Sequence, residues 1–146
     1  HITLFFLGST EESAVSLLKR IIDESFSKTQ AYETNLCGVG VFPNAHNPKV
    51  LWLGLQNLQP LMLAYSMLGE LLRQNGFSFD QKPLKPHLTI ARVKRADNPS
   101  IFQTLLAEFQ ETIFDQVHVN SVVLFESQTT PSGPIYKPLF EKQLIG

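Results

Sequence analysis

The sequence predicts an α+β fold in which two largely antiparallel sheets with flanking helices form two lobes around a central cleft. Three observations support this prediction. Apolar runs typical of strands are mixed with amphipathic helical segments, two pairs of these runs are joined by turn-rich loops, and the tetrapeptide His-x-Thr-x occurs twice. With 146 residues, 43% of them hydrophobic, the chain has the size and apolar content of one domain, residues 1–146, with its own core.

The first half of the chain contains a predicted strand, a helix and a hairpin. Residues 1–7 are apolar and aromatic, and Gly8 ends this strand. Ser9 and Glu12 resemble a capping box, and the helix that follows has an apolar face formed by Val15, Leu18, Ile21, Ile22 and Phe26. Two further strands at residues 32–42 and 50–55 are joined by an Asn- and Pro-rich loop, which predicts a hairpin.

The second half is predicted to contain two helices and three strands. A helix begins near Pro60 and ends at Gly76, and its apolar face consists of Leu61, Tyr65, Leu68 and Leu72. Residues 87–93 repeat the pattern of the first strand, and a short helix carries Phe102, Leu105, Leu106 and Phe109. Strands at residues 117–125 and 135–144 are joined by a turn at residues 129–134.

Each His-x-Thr motif presents an imidazole and a hydroxyl to the same side of a strand. Side chains alternate between the two faces, so residues i and i+2 point the same way, about 7 Å apart. The alternating residues are expected to pack in the core: Ile2, Leu4, Leu88 and Ile90. Two such strands therefore offer two imidazoles and two hydroxyls to one cavity.

This set of groups matches the hydrolysis of a phosphodiester without metal. A neutral imidazole takes a proton from water and a protonated one gives a proton to the leaving oxygen, and an unperturbed histidine pKa of about 6.5 makes both forms available. The threonine hydroxyls can donate to phosphate oxygens. Arg92 can add a charged clamp, but strict alternation places it opposite His87 unless the strand bulges near Ala91. Lys85 or Lys94 is the alternative.

The charge distribution and the spacing of the histidines indicate which ligands the chain can bind. A net charge of −1 argues against a broadly basic surface, but five basic residues surround the second motif and favour a locally held anion: Lys82, Lys85, Arg92, Lys94 and Arg95. His46 in a loop and His118 on an outer strand are predicted to be exposed and non-catalytic. No His-x-x-x-His pair or cysteine cluster occurs, so no metal or other cofactor is expected.

The cellular context is also predicted from composition. Cys37 is the single cysteine, which excludes an internal disulfide, and no apolar run approaches the roughly 20 residues of a membrane span. The predicted setting is therefore the cytoplasm, without membrane attachment, and a monomer is expected.

Several motifs together resemble the 2H phosphoesterases. They are the two His-x-Thr-x motifs, Phe6-Leu7-Gly8, Gly38-Val39-Gly40-Val41-Phe42-Pro43, Leu51-Trp52-Leu53-Gly54, Lys85-Pro86-His87-Leu88-Thr89-Ile90-Ala91-Arg92 and Tyr136-Lys137-Pro138-Leu139. The resemblance extends over essentially the whole chain and is greatest to RNA 2′,3′-cyclic phosphodiesterases, also described as 2′-5′ RNA ligases. It implies a bilobal α+β fold and hydrolysis of a 2′,3′-cyclic phosphate, on RNA or a nucleotide, to a 2′-phosphomonoester.

The resemblance also implies roles for five residues. His1 would be the proton donor and His87 the proton acceptor, while Thr3, Thr89 and Arg92 would bind the phosphate. Similar proteins carry a strand and a helix before the first motif, so a native chain longer than this sequence is expected. Two alternatives stay open: a binding module that recognises a nucleotide or RNA end without cleaving it, and a 2′-5′ RNA ligase or phosphodiesterase.

Overall fold

The structure, a computed structural model, describes residues 1–80, 83–131 and 133–146. The chain divides into two units, each built from three segments. The first unit comprises His1–Phe6, Glu33–Leu58 and Gln81–His118, and the second comprises Leu7–Tyr32, Gln59–Asp80 and Val119–Gly146. The α+β prediction is confirmed, because helices accompany one four-stranded and one two-stranded sheet.

The sheet of the first unit contains four strands. They are β1 (Tyr32–Phe42), β2 (Val50–Leu55), β3 (His87–Arg92) and β4 (Ile113–Val119), in the spatial order β3-β2-β1-β4. β1 pairs with β2, and β2 with β3, in antiparallel orientation, so the predicted hairpin is confirmed with its boundaries. The predicted short helix is also present between β3 and β4, at Ser100–Glu108.

The second unit contains the two longer helices, α1 (Val15–Ser25) and α2 (Gln59–Gln74), and a long antiparallel hairpin of β5 (Ser121–Thr130) and β6 (Gly133–Gln143). Both predicted apolar helix faces are confirmed, because most of their residues are buried: Leu18, Ile21, Ile22, Phe26, Leu61, Leu68 and Leu72. Val15 and Tyr65 of these faces are half-buried, and Ala64, which was not predicted, is also buried. Burying a leucine or isoleucine side chain stabilises the fold by about 1.5–3 kcal/mol relative to leaving it exposed.

The end of α2 follows the prediction at Gly76. Its φ of 80° is left-handed, which glycine adopts without steric cost. Its amide donates to the carbonyl of Arg73, and the next amide, that of Phe77, donates to the carbonyl of Leu72. These two hydrogen bonds form a Schellman motif, which satisfies the last carbonyls of the helix.

The predicted start of the chain is wrong in two details. Residues 1–7 form no strand, because a strand requires a hydrogen-bonded neighbour and this segment belongs to neither sheet. Exposure nevertheless alternates as expected over residues 1–4. The capping box is absent: a 3-10 turn at Glu12–Ala14 leads directly into α1, and no side chain caps either start.

The predicted strand at residues 117–125 is wrong in its bounds, because parts of two strands lie in this stretch, whereas its predicted hairpin with residues 135–144 is confirmed. The chain leaves the first sheet at the end of β4, and Asn120 separates β4 from β5. Two consecutive polar residues, Asn120 and Ser121, interrupt the apolar alternation at this point, but so short an interruption did not predict a change of sheet. The hairpin joins β5 to β6 through the predicted turn, in which Ser132 lies outside the described residues. No helix in the described ranges has the length and hydrophobicity to cross a membrane.

Candidate active site

The register of β3 brings three of the predicted site residues to one face. His87 pairs with Gly54 and Thr89 pairs with Trp52, which are two residues apart on β2. The register then shifts, so that Arg92 pairs with Val50. Directly paired residues of antiparallel strands share a face, and Gly54, Trp52 and Val50 alternate on one face of β2. His87, Thr89 and Arg92 therefore point to the same side of the sheet.

The shift in register is a β-bulge at Ile90. This residue is the extra one on β3, between the pairs formed by Thr89 and by Ala91. An extra residue reverses the alternation beyond it, which removes the conflict that strict periodicity predicted for Arg92. The prediction that Ile90 packs in the core is wrong, because this bulged residue is 50% exposed. Thr89 and Arg92 are exposed, and His87 is half-buried.

Two aromatic side chains extend this face on the neighbouring strands. Trp52 pairs with Gly40 of β1, and Phe42 of β1 pairs with Val50. Their ring centroids lie 5.2 Å apart. A Cβ atom on Gly40 would lie 2.0 Å from the Trp52 ring, so the ring occupies the space that any other side chain would need. Glycine at this position allows the indole to lie over the sheet.

The His87 ring is held by contacts on two sides. The Phe42 ring meets it edge-to-face at 4.9 Å between centroids, and the Trp52 ring lies 6.0 Å away. Nδ1 of His87 lies 2.6 Å from the carbonyl oxygen of Lys85. A carbonyl only accepts hydrogen bonds, so Nδ1 carries the proton. In the neutral ring, Nε2 is then left with a lone pair, and this atom can accept a proton from a substrate or from water.

The basic residues around the second motif differ in their surroundings. The Lys85 ammonium lies 5.1 Å from the centroid of Phe42 and 5.0 Å from that of Trp52, which is cation–π geometry. Arg95 forms an exposed ion pair with Asp97. Lys94 is exposed beyond the end of β3. Lys82 lies outside the described residues, so Lys85 and Arg92 are the cations that the described structure associates with the site face.

The first motif lies in the same unit as the second. His1 and Thr3 are exposed, while Ile2 and Leu4 between them are half-buried. The imidazole and the hydroxyl therefore lie on the more exposed side of this segment, which is not a strand. The roles of His1 and Thr3 stay predictions.

Sequence reasoning missed two side chains of the site face, Phe42 and Trp52. Both occur in motifs that carried the family resemblance, yet neither was expected at the site. A usable signal was the glycine at position 40, because a glycine inside a strand often marks a close approach by another group.

The other two histidines make different contacts. His46 is exposed in the loop after β1, where its amide donates to Oδ1 of Asn44, and His118 of β4 contacts the Glu33 carboxylate at 2.7 Å. Both predictions of exposure are confirmed. Among the described residues, no three potential metal ligands lie together. Independence from metal stays a prediction.

Comparison with known proteins identifies the family. The model of the 2′-5′ RNA ligase superfamily matches residues 1–131. An RNA 2′,3′-cyclic phosphodiesterase of Thermotoga maritima is 35% identical over 146 residues, all of this chain and 76% of the relative. The protein of that name from Archaeoglobus fulgidus is 36% identical over 140 residues, 95% of this chain and 76% of the relative. A solved structure from Thermus thermophilus has a TM-score of 0.78 at 27% identity, covering 100% of this chain and 78% of that one. The chain belongs to the 2′-5′ RNA ligase superfamily.

Proposed function

We propose that this protein is a phosphoric diester hydrolase that opens the 2′,3′-cyclic phosphate of an RNA end or a nucleotide to a 2′-phosphomonoester. The observation that carries the proposal is the bulge at Ile90, which gives His87, Thr89 and Arg92 a common face. The names of the Thermotoga and Archaeoglobus relatives, both RNA 2′,3′-cyclic phosphodiesterases, support the substrate class.

His87 is the proton acceptor in this proposal. Its Nδ1–H donates to the Lys85 carbonyl, which orients the ring and leaves Nε2 free to take a proton from water. The resulting hydroxide oxygen forms the new bond to phosphorus. A positioned general base of this kind contributes about 10²–10⁴ to the rate.

His1 is the proton donor. As the bond from phosphorus to the 3′ oxygen breaks, its imidazolium gives a proton to that oxygen, and the product keeps its phosphate on the 2′ oxygen. After turnover His87 is protonated and His1 is neutral, so exchange with solvent restores both. Thr3 and Thr89 donate to the non-bridging oxygens, and Arg92 adds a charge-assisted hydrogen bond as negative charge develops.

The test uses 2′,3′-cyclic AMP in buffer with EDTA, and phosphorus NMR identifies the product. The expected result is a single 2′-monophosphate resonance that appears at the same rate with and without chelator. Loss of turnover in EDTA would contradict the metal-free mechanism, and appearance of the 3′-monophosphate would contradict the assignment of the leaving oxygen. Tight binding without turnover would establish the alternative of a binding module.

The family description favours one further candidate reaction, the joining of RNA ends. If a 5′-hydroxyl of a second RNA replaces water as the attacking group, the same breakage at the 3′ oxygen leaves a 2′-5′ phosphodiester. Incubation of a cyclic-phosphate oligonucleotide with a 5′-hydroxyl oligonucleotide tests this. A longer product whose new junction alone resists a nuclease specific for 3′-5′ linkages is the expected sign of ligation.

The proposal includes the setting of the reaction. The enzyme acts as a cytoplasmic monomer on RNA or nucleotides, without metal or cofactor. Analytical ultracentrifugation of the purified chain tests the oligomeric state, and a sedimenting dimer would contradict it.

A further inference from the structure

The ammonium of Lys85 is held beside the catalytic face by aromatic rings. It lies over the rings of Phe42 and Trp52, at 5.1 and 5.0 Å from their centroids, and no carboxylate of the described ranges pairs with it. The residue is exposed, so its remaining N–H groups are open to an incoming ligand. Exposed lysines are ordinarily mobile, whereas this one has a platform of two aromatic faces.

The backbone builds this platform. The Trp52 ring lies against Gly40, where a Cβ atom would come within 2.0 Å of it. A Cβ on Gly54, which pairs with His87, would meet the carbonyl oxygen of Cys37 at 2.7 Å. The first approach makes space for the indole over β1, and the second brings the backbones of β1 and β2 close together beside His87. The sheet therefore fixes the position of the Trp52 ring over which the lysine lies.

The two cations of the site face lie at opposite ends of the second motif. Lys85 precedes His87 by two residues, and its own carbonyl accepts the hydrogen bond that fixes the His87 ring. Arg92 lies beyond Thr89, on the far side of the bulge. In the proposed reaction Arg92 and the threonines neutralise the cyclic phosphate. Lys85 then offers a second positive site to a second anion.

We propose that Lys85, on its platform of Phe42 and Trp52, is a binding site for the phosphate attached to the 5′ oxygen of the nucleotide being opened. This inference rests on the proposed function. In an RNA chain that phosphate is the diester joining the terminal nucleotide to its neighbour. The enzyme therefore prefers an RNA end, or a nucleotide with a 5′-phosphate, over a cyclic nucleotide without one.

Two small substrates that differ only in this phosphate test the inference. They are adenosine 2′,3′-cyclic phosphate and its 5′-phosphorylated form, and kcat/KM is measured for each. The wild-type protein is expected to favour the 5′-phosphorylated substrate about tenfold, the effect of one charge-assisted hydrogen bond that is partly exposed to solvent. The preference is expected to decrease as salt is raised.

Two variants distinguish binding at Lys85 from attraction by the general positive charge around the second motif. Lys85→Met keeps the apolar stem and removes the charge, and it is expected to abolish the preference, measured as the ratio of kcat/KM for the two substrates. Lys94→Met is the matched control, because it removes the same charge from the exposed segment after β3. It is expected to retain the preference.

The outcomes separate this inference from the proposed function. If wild-type protein opens neither substrate, the proposed function fails. If it opens both substrates without preference, Lys85 does not bind the 5′-phosphate. If Lys85→Met slows both substrates equally, Lys85 only positions His87, and the phosphate site is likewise contradicted. If Lys94→Met loses the preference equally, the preference arises from the general field of the basic residues. That result would also contradict a phosphate site at Lys85.

Discussion

The two units of the molecule differ in what they bury. In the second unit, α1 and α2 bury an apolar face so completely that Phe26 and Leu72 have 0% and 2% of their surfaces exposed. In the first unit, neither β3 nor the helix that follows it has a fully buried residue. The helices of the second unit thus contribute most of the fully buried apolar side chains, whereas β3 carries the polar groups of the site face. Catalysis and folding should therefore be separable by mutation.

The largest expected effect is on catalysis, from His87→Ala. We expect kcat/KM to decrease by about 10²–10⁴ because the proposed general base is lost, while thermal unfolding changes little, since the ring is only half-buried. Activity assays and a thermal melt of the same preparation measure both quantities. A large drop in Tm would contradict the separation of the two units.

The pH dependence of kcat/KM in the same variant tests which histidine is the base. In the wild-type protein, kcat/KM should fall at low pH because the base becomes protonated, and at high pH because the acid loses its proton. His87→Ala should lose the low-pH limb. A low-pH limb that persists unchanged in the variant would assign the base to another group.

The converse variant is Leu72→Ala in the second unit. Removing this buried side chain should decrease the free energy of unfolding by about 2–5 kcal/mol, because a cavity replaces packed atoms. Well below the melting temperature kcat/KM should stay within about twofold. Urea denaturation measures the unfolding free energy, and hydrolysis of 2′,3′-cyclic AMP measures kcat/KM. Leu63→Ala, at an exposed position of the same helix, is the control. An equal loss from Leu63→Ala would show that burial does not decide the cost.

The smallest expected effect comes from Gly76→Ala at the end of α2. No atom lies within 4 Å of the added Cβ, so only the left-handed backbone at φ 80° resists the substitution. We expect a loss of about 1–2 kcal/mol in unfolding free energy and no change in kcat/KM. Ser66→Ala, at an exposed position within the helix, is the control. Equal Tm values for both variants would contradict this explanation of the helix end.

The sequence correctly predicted the helices and strands that are determined by residues close together in the chain. The helix faces through Leu18 and Leu68 were correct because residues three and four apart meet on the same helix. The boundaries of β1 and β2 were correct because turn residues flank them. The resemblance to the 2H phosphoesterases and the RNA 2′,3′-cyclic phosphodiesterases is confirmed by the family match.

Features that depend on a distant partner could not be predicted in the same way. Residues 1–7 have the composition of a strand but belong to neither described sheet, and the change of sheet at Asn120 is marked in the sequence only by the polar pair Asn120-Ser121. The bulge at Ile90 becomes visible only when β3 is aligned with β2. His87 and Thr89 were correctly expected to share a face, whereas the position of Arg92 depended on that bulge.

The position of Trp52 makes the site observable by spectroscopy. It is the only tryptophan of the chain, and its ring lies 6.0 Å from that of His87 and close to the Lys85 ammonium. Indole emission from this protein therefore originates beside the proposed general base. A change in this emission when nucleotide is added therefore reports occupancy of the site without any label.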